Sequence, residues 1–228
     1  MYLSEWPSNE GRMKFKQICN NIYWLDFKKQ DEMCLSFCRL QEHYESPEFA
    51  GKIFTMEEYQ AWYIKTYHMW SYMIDWAGFN VPDYVVRKFI NGEFNPLTRL
   101  EEKLLDKLIL GTKCKIYKPT PYYVIGTCNM KEKYALKHEI AHGLFYTNPE
   151  YTRNVINILN DNEFPYVRFV NWLIKKGYHL STAFDELHAY AMDDFITSDK
   201  AFPNIKPWLK GINLLKENFN KFVDLKKI

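Results

Sequence analysis

The clearest pattern along the chain is a series of amphipathic segments in its C-terminal half. After residue 130, apolar residues recur at intervals of three and four positions, which is typical of helices that bury one face. Residues that begin or end helices separate these segments, for example Asn148 followed by Pro149, and later Gly177. We therefore predict five helices, over residues 131–147, 149–160, 165–176, 182–197 and 205–225.

The middle of the chain has equally clear boundaries. Thr55 and Glu58 have the spacing of a capping box, and four leucines between residues 100 and 108 form one helical stripe that ends at Gly111. The stretch from Ala77 to Pro82 interrupts the helical pattern. Three helices and two strands follow from these signals: helices over residues 55–76, 83–92 and 96–110, and strands over 114–117 and 122–128.

The first fifty residues allow two interpretations. Residues 33–40 partly alternate between apolar and polar, and residues 21–27 are aromatic and β-branched, which favours a hairpin that turns near residues 28–31. The alternative is a helical face, since apolar residues at helical spacing occur at Phe15, Ile18, Cys19 and Ile22.

Composition narrows the class of protein. Of 228 residues, 47% are hydrophobic and 25% charged, which excludes a disordered or fibrous chain. The net charge of +2 gives no electrostatic footprint for nucleic acid or an anionic membrane. We find no signal peptide and no apolar stretch of about 20 residues, and the five cysteines are an odd number, so we expect reduced thiols and a cytoplasmic location.

The predicted fold class is therefore α+β and mostly helical. Gly and Pro are scarce, at 9 and 10 residues, which favours helices with short connections over a β-sandwich. We expect an N-terminal region over residues 1–110, with part of a sheet and backing helices, and a catalytic region over residues 111–228. No linker separates them, so we expect one compact unit.

The strongest chemical motif is His-Glu-Ile-Ala-His at residues 138–142, inside a predicted helix. At about 100° per residue, His138 and His142 lie about 40° apart and one turn along, so both imidazoles can bind one metal ion. Glu139 lies about 100° from His138, where it can reach a metal-bound water without being a ligand. Gly143 suggests close approach of another backbone. The alternative is a chance match, expected in on the order of one in a hundred such chains.

A catalytic zinc site needs a third protein ligand, and the predicted helix over residues 182–197 offers Asp185, Glu186 and His188. These three side chains leave the helix in different directions, so only one of them can face the metal. Glu186 shares its face with Ala183 and Ala189, which allow the helix to come close. We therefore favour Glu186, with His188 as the alternative.

Over residues 122–197 these motifs resemble the gluzincin branch of zinc metallopeptidases, in which a Glu on a second helix completes the site. The run from Glu186 to Tyr190, Glu-x-x-Ala-Tyr, resembles the second-helix motif of small gluzincin-like proteins. The third His of metzincins and the Gly-x-Met-Glu-Asn of aminopeptidases are absent from the sequence. The resemblance implies a zincin-like fold with a small sheet and an active-site helix.

The resemblance also implies an edge strand before the active helix that pairs with an extended peptide. Residues 122–128 have the place and composition for it, and the alternative is an ordinary buried strand. A Tyr or His normally stabilises the oxyanion in such enzymes. Tyr190, one turn after Glu186, is favoured for that role over Tyr151 and His188, although it could equally be a core residue. Asp193 could orient a ligand histidine.

Together these observations predict a zinc-dependent metallopeptidase with one Zn²⁺ per chain. His138, His142 and Glu186 would be the metal ligands, Glu139 the general base and Tyr190 a further catalytic residue. We expect a peptide or protein substrate and no nucleic-acid or membrane partner. The alternatives are a zincin-like regulatory or binding protein that keeps the metal with little activity, or a regulatory or toxin-type protease that a partner activates.

Overall fold

A computed structural model of the chain describes residues 13–128, 133–161, 166–175, 183–192 and 206–225. The fold is α+β and mostly helical, as predicted, with one sheet of four strands. The strands are β1 (Lys14–Cys19), β2 (Ile22–Phe27), β3 (Gly78–Pro82) and β4 (Tyr123–Cys128). The helices before β4 are α1 (Gln30–Glu45), α2 (Met56–Tyr67), α3 (Tyr72–Asp75), α4 (Asp83–Ile90) and α5 (Arg99–Gly111), with a 3₁₀ turn at Lys115–Tyr117.

The helices after β4 are α6 (Lys133–Thr147), α7 (Pro149–Asp161), α8 (Tyr166–Lys175), α9 (Ala183–Met192) and α10 (Leu209–Phe222), the last preceded by a 3₁₀ turn at Lys206–Trp208. They lie where the C-terminal half was predicted to be helical. Within the described ranges, no helix has the length and apolar character needed to cross a membrane.

The strands lie in the order β1-β2-β4-β3. β1 and β2 form an antiparallel hairpin, β2 and β4 pair in parallel, and β3 pairs antiparallel with β4. Trp24, Ile125 and Asn80 are therefore neighbours across the three strands. The sheet is mixed, and its central strand β4 comes last in the sequence.

Because side chains alternate along a strand, the sheet has two faces with separate cores. On one face, here called the α6 face, Trp24 and Ile125 pack against Ile140 and Leu144 of α6, together with buried residues of α7, α9 and α10. The opposite α1 face is covered by α1, α2, α4 and α5 and is rich in buried aromatic side chains. The sheet thus separates an aromatic core from the helices that carry the candidate site.

Gly143 allows α6 to approach the α6 face closely. A Cβ atom at residue 143 would lie 2.9 Å from Cδ1 of Ile22 and 3.2 Å from Cδ1 of Tyr123. The neighbours of Gly143 are therefore side chains of the sheet, and not the second backbone that the sequence suggested. This close approach sets the height of residues 138–142 above the strands.

In the first fifty residues, the strand predicted over residues 21–27 is confirmed as β2, but its predicted hairpin partner and the helical alternative were wrong. The hairpin is formed by β1 and β2 and turns at Asn21, whose φ is 62°, while residues 33–40 lie in α1. Helix α1 buries side chains around most of its circumference, including Arg39 and His43. It therefore lacks the single apolar stripe that identifies a surface helix.

Two further boundaries differ from the prediction. The capping box of Thr55 and Glu58 is present, but α2 ends at Tyr67 because His68 adopts a left-handed conformation with φ 66°. The interruption before Pro82 contains strand β3. The strand predicted at residues 114–117 is a 3₁₀ turn, preceded by Cys114 with φ 64°.

Candidate metal centre

Helices α6 and α9 cross on the α6 face and bring three predicted ligand side chains together. His138, His142 and Glu186 each offer one ligand atom, and these atoms lie within 4.8 Å of one another. Ala183 and Ala189, the small residues predicted to permit this approach, are both buried. Glu186 is also buried, so its carboxylate lies in the interface between the helices.

The distances suit a single small ion. The Nε2 atoms of His138 and His142 are 3.0 Å apart. Nε2 of His138 lies 3.8 Å from Oε2 of Glu186, and Nε2 of His142 lies 3.8 Å from Oε1. Donor atoms held tetrahedrally at about 2.0–2.1 Å from an ion would be about 3.3 Å apart. The three side chains therefore have nearly the spacing that such an ion requires.

One oxygen of the cluster accepts no hydrogen bond within the described ranges. Glu186 Oε2 is buried and accepts no hydrogen bond from any described residue. Burial raises the pKa of Glu186, and the neighbouring imidazoles of His142 and His138 only partly oppose this rise. A buried acceptor without a donor is costly, and a bound cation would satisfy it.

Asp185 orients one of the two histidines. Its Oδ1 lies 2.9 Å from Nδ1 of His142, while the other ring nitrogen, Nε2, faces the cluster. Burial by itself would lower the pKa of His142, but Asp185 and Glu186 outweigh it and raise that pKa well above its ordinary value. Burial likewise tends to raise the pKa of Asp185, but His142 lowers it overall.

Sequence reasoning missed this role of Asp185. Helical spacing shows that Asp185 and Glu186 leave α9 about 100° apart, which predicts that only one of them faces the metal. The two carboxylates instead face opposite nitrogens of one imidazole ring. Asp193, the residue suggested for this role, lies outside the described residues. The available signal was a second carboxylate next to the predicted ligand.

Glu139 is almost completely buried and belongs to a different set of contacts. Its Oε2 accepts a hydrogen bond from Nδ2 of Asn80, and Oδ1 of Asn80 accepts one from the hydroxyl of Tyr123. Asn80 lies on β3, 59 positions before Glu139, and no sequence pattern connected the two. Glu139 therefore lies beside the cluster without being one of its three members.

Tyr190 lies next to the cluster. Its ring centroid is 4.7 Å from that of His138 in an edge-to-face arrangement, and its other side packs against Phe169 and Trp172. The side chain is half-buried. The structure therefore places Tyr190 beside one predicted metal ligand.

The two weaker candidates lie in the core. Tyr151 is fully buried, and its ring packs 5.6 Å from that of His188. His188 is also fully buried, and its Nε2 lies 3.2 Å from the carbonyl oxygen of Ala141. Burial lowers the pKa of His188 to about 4, so its neutral ring donates to that carbonyl. His188 thus braces α9 against α6 and is not a member of the cluster.

The predicted edge strand was assigned to the wrong strand. Residues 122–128 form β4, which is paired on both sides by β2 and β3 and is therefore an ordinary buried strand. Within the described part of the chain, β3 pairs with β4 alone and is the edge strand nearest Glu139. Strand β3 was not predicted, because it has Gly78 and Pro82 at its two ends and these residue types usually interrupt a strand.

Comparison with known proteins identifies no relative of this chain. No family model matches the chain, and no curated protein or solved structure is significantly similar to it.

Proposed function

We propose that the chain is a zinc-dependent metallopeptidase of the gluzincin type, with His138, His142 and Glu186 as metal ligands and Glu139 as general base. The observation that carries this proposal is the convergence, from two helices, of two imidazole nitrogens and a buried carboxylate whose Oε2 accepts no hydrogen bond from the described residues. A further acidic group, Glu139, lies beside them. A purely structural metal site has no use for that additional carboxylate.

The donor set supports zinc. Two imidazoles and one carboxylate are the ligands of a common class of catalytic zinc site, whereas structural sites usually have four protein ligands rich in Cys. Three protein ligands leave a position for water or substrate. Zinc bound here would make its water more acidic and would polarise the carbonyl of the substrate.

The residues around the cluster support a hydrolytic role. Glu139 would accept the proton of the attacking water and deliver it to the nitrogen of the leaving amine. Asp185 would keep the Nε2 lone pair of His142 directed at the metal. We assign Tyr190 to the stabilisation of the oxyanion, since its ring contacts that of His138.

The sheet supports a zincin-like arrangement and a peptide substrate. Strand β3, the edge strand nearest Glu139, pairs antiparallel with β4. Its residue Asn80 contacts Glu139 of helix α6. An extended peptide can add to such an edge through backbone hydrogen bonds. The sequence suggested residues 122–128 as the strand that pairs with the peptide. We place the substrate along β3 instead.

The first test combines metal analysis with cleavage. The protein is purified without chelators, its zinc content is measured, and it is incubated with an unbiased peptide library that is read by mass spectrometry. We expect about one Zn²⁺ per chain, and we expect Glu139→Gln to keep the zinc while cleavage falls by about 10²–10⁴-fold. Absence of metal would overturn the proposal. Zinc without cleavage by the unmodified protein would favour the regulatory or binding alternative.

The third ligand is tested separately by chelator competition. Glu186→Ala should weaken zinc binding by more than the roughly 10–100-fold that is typical of losing a residue that only supports a ligand. His188→Ala should keep the metal, because its ring contacts backbone atoms of α6 and α9. The reverse result would make His188 the ligand and would rule out the gluzincin assignment.

A further inference from the structure

We infer that strand β3 fixes the carboxylate of Glu139 through two residues, Asn80 and Gly78, and that Asn80 is a positioning residue of the site. This inference rests on the proposed function for its catalytic meaning. The hydrogen bonds and distances on which it depends are properties of the folded chain itself. They involve none of the three predicted metal ligands directly.

Gly78 and Asn80 lie on the same face of the sheet. They pair with Thr127 and Ile125 of β4, and Ile125 belongs to the core beneath α6. Since side chains alternate along a strand, residues 78 and 80 both face α6, while Phe79 between them packs into the α1 core. Strand β3 therefore presents two positions to the helix that carries Glu139.

Asn80 holds one oxygen of the carboxylate. Its Nδ2 donates to Oε2 of Glu139, and both side chains are almost completely buried. A hydrogen bond to an ionised carboxylate in a buried site is among the stronger hydrogen bonds in proteins. The oxygen that accepts this bond is turned towards β3.

Tyr123 determines which way the amide of Asn80 points. Its hydroxyl donates to Oδ1 of Asn80, so Nδ2 faces Glu139. The opposite orientation would set Oδ1 against the acceptor oxygens of the Glu139 carboxylate and would end the hydrogen bond from the Tyr123 hydroxyl to Oδ1. Two strands and a helix thus share one chain of hydrogen bonds, from Tyr123 through Asn80 to Glu139.

Gly78 leaves room for the other oxygen. A Cβ atom at residue 78 would lie 3.3 Å from Oε1 of Glu139 and 3.4 Å from the carbonyl oxygen of Gly126. A side chain there would press on Oε1 from one side and meet fixed backbone on the other. With Oε2 engaged by Asn80, Oε1 is the oxygen that remains available to accept a proton.

The direct test of the hydrogen bond needs neither metal nor substrate. In ¹⁵N-labelled, metal-free protein, the side-chain amide signal of Asn80 is identified by its loss in Asn80→Asp. We expect one of its protons to be shifted downfield, and we expect Glu139→Gln and Tyr123→Phe each to move it back. A signal that none of these changes moves would overturn the inference, even if the protein binds zinc and cleaves peptides.

The functional test compares Asn80→Ala with Asn157→Ala, an exposed asparagine on α7. On a peptide taken from the library, Asn80→Ala should lower kcat by about 10- to 100-fold while KM and zinc content stay within about twofold. Asn157→Ala should change neither constant. A loss of zinc or a rise in KM with kcat unchanged would contradict a positioning role.

The two experiments separate this inference from the proposed function. If the unmodified protein binds no zinc and cleaves nothing, the metallopeptidase proposal fails, and the amide spectrum still decides whether β3 fixes Glu139. If the protein is active but the spectrum and kcat do not respond to Asn80, the inference fails and the proposed function stands.

Discussion

The two faces of the sheet bury charged groups in opposite ways. On the α1 face, Arg39 and Glu101 form an ion pair in which both side chains are almost fully buried. All five N–H groups of Arg39 have an acceptor: both oxygens of Glu101 and the carbonyls of Phe54, Phe94 and Pro96. The guanidinium of Arg39 therefore has no N–H group left to donate to a ligand.

On the α6 face, the buried groups are not fully satisfied by one another. Glu186 Oε2 has no donor in the described part of the chain, and the Nε2 atoms of two histidines face the same space. The ion pair of Arg39 and Glu101 is satisfied within the protein, whereas Glu186 and the two imidazoles each offer an atom that could bind the same cation. The same chain shows both cases, on opposite sides of one sheet.

The largest effect is expected on the α1 face, where Glu101→Leu leaves Arg39 buried without its counter-ion. We expect the free energy of unfolding to fall by about 3–5 kcal/mol, measured by urea denaturation. The matched control is Glu48→Gln, which removes an exposed ion pair with Lys52 and should cost less than about 1 kcal/mol. Zinc binding by the folded fraction of Glu101→Leu should be unchanged. Equal effects of the two variants would remove the contrast between the faces.

An intermediate effect is expected on the α6 face from Asp185→Asn, which removes the charge that orients His142. Zinc affinity should fall by about 10–100-fold, while the fold is kept, because the ligands themselves remain. Chelator competition measures this change. Asp193→Asn, the variant at the position suggested by the sequence, is the comparison. If Asp193→Asn weakened binding and Asp185→Asn did not, the observed contact would not be the one that matters.

The smallest effect is expected from adding a methyl group at one glycine on each face of the sheet, which compares how tightly the two faces are packed. A Cβ at Gly126 would lie 2.4 Å from the ring of Phe37, which is fully buried, so Gly126→Ala should cost about 1–3 kcal/mol. A Cβ at residue 143 would lie 2.9 Å from the tip of Ile22 and 3.2 Å from the ring of Tyr123, and Gly143→Ala gains up to about 1 kcal/mol of helix propensity, so its net effect should be smaller. Urea midpoints of both variants give the comparison. A larger loss for Gly143→Ala would show that the α6 face is the more tightly packed.

Features encoded by neighbouring residues were predictable from the sequence. The capping box at Thr55, the helix that carries residues 138–142, and the preference for Glu186 over His188 follow from spacing within one helix. The structure brings His138, His142 and Glu186 together as that spacing suggested.

Features that depend on contacts between distant segments were not predictable. Helix α1 is buried on several sides, so its apolar residues form no stripe, and strand β3 consists of five residues that begin with Gly and end with Pro. The contact from Asn80 to Glu139 exists only once β3 has joined the sheet. Such pairings leave no periodic trace, because nothing in the local pattern depends on them.

The order of the strands also has a consequence for how the chain folds. Strand β4 lies between β2 and β3, although it is synthesised after both, so the two earlier strands cannot complete a sheet by themselves. A chain that ends before residue 123 would expose two strand edges where the complete protein has a central strand, and exposed edges promote aggregation. The parallel pairing of β2 with β4 joins residues about a hundred positions apart, which predicts slow folding for a protein of this size. We therefore expect the insertion of β4 to limit the rate of folding, and the cluster of His138, His142 and Glu186 to form after it.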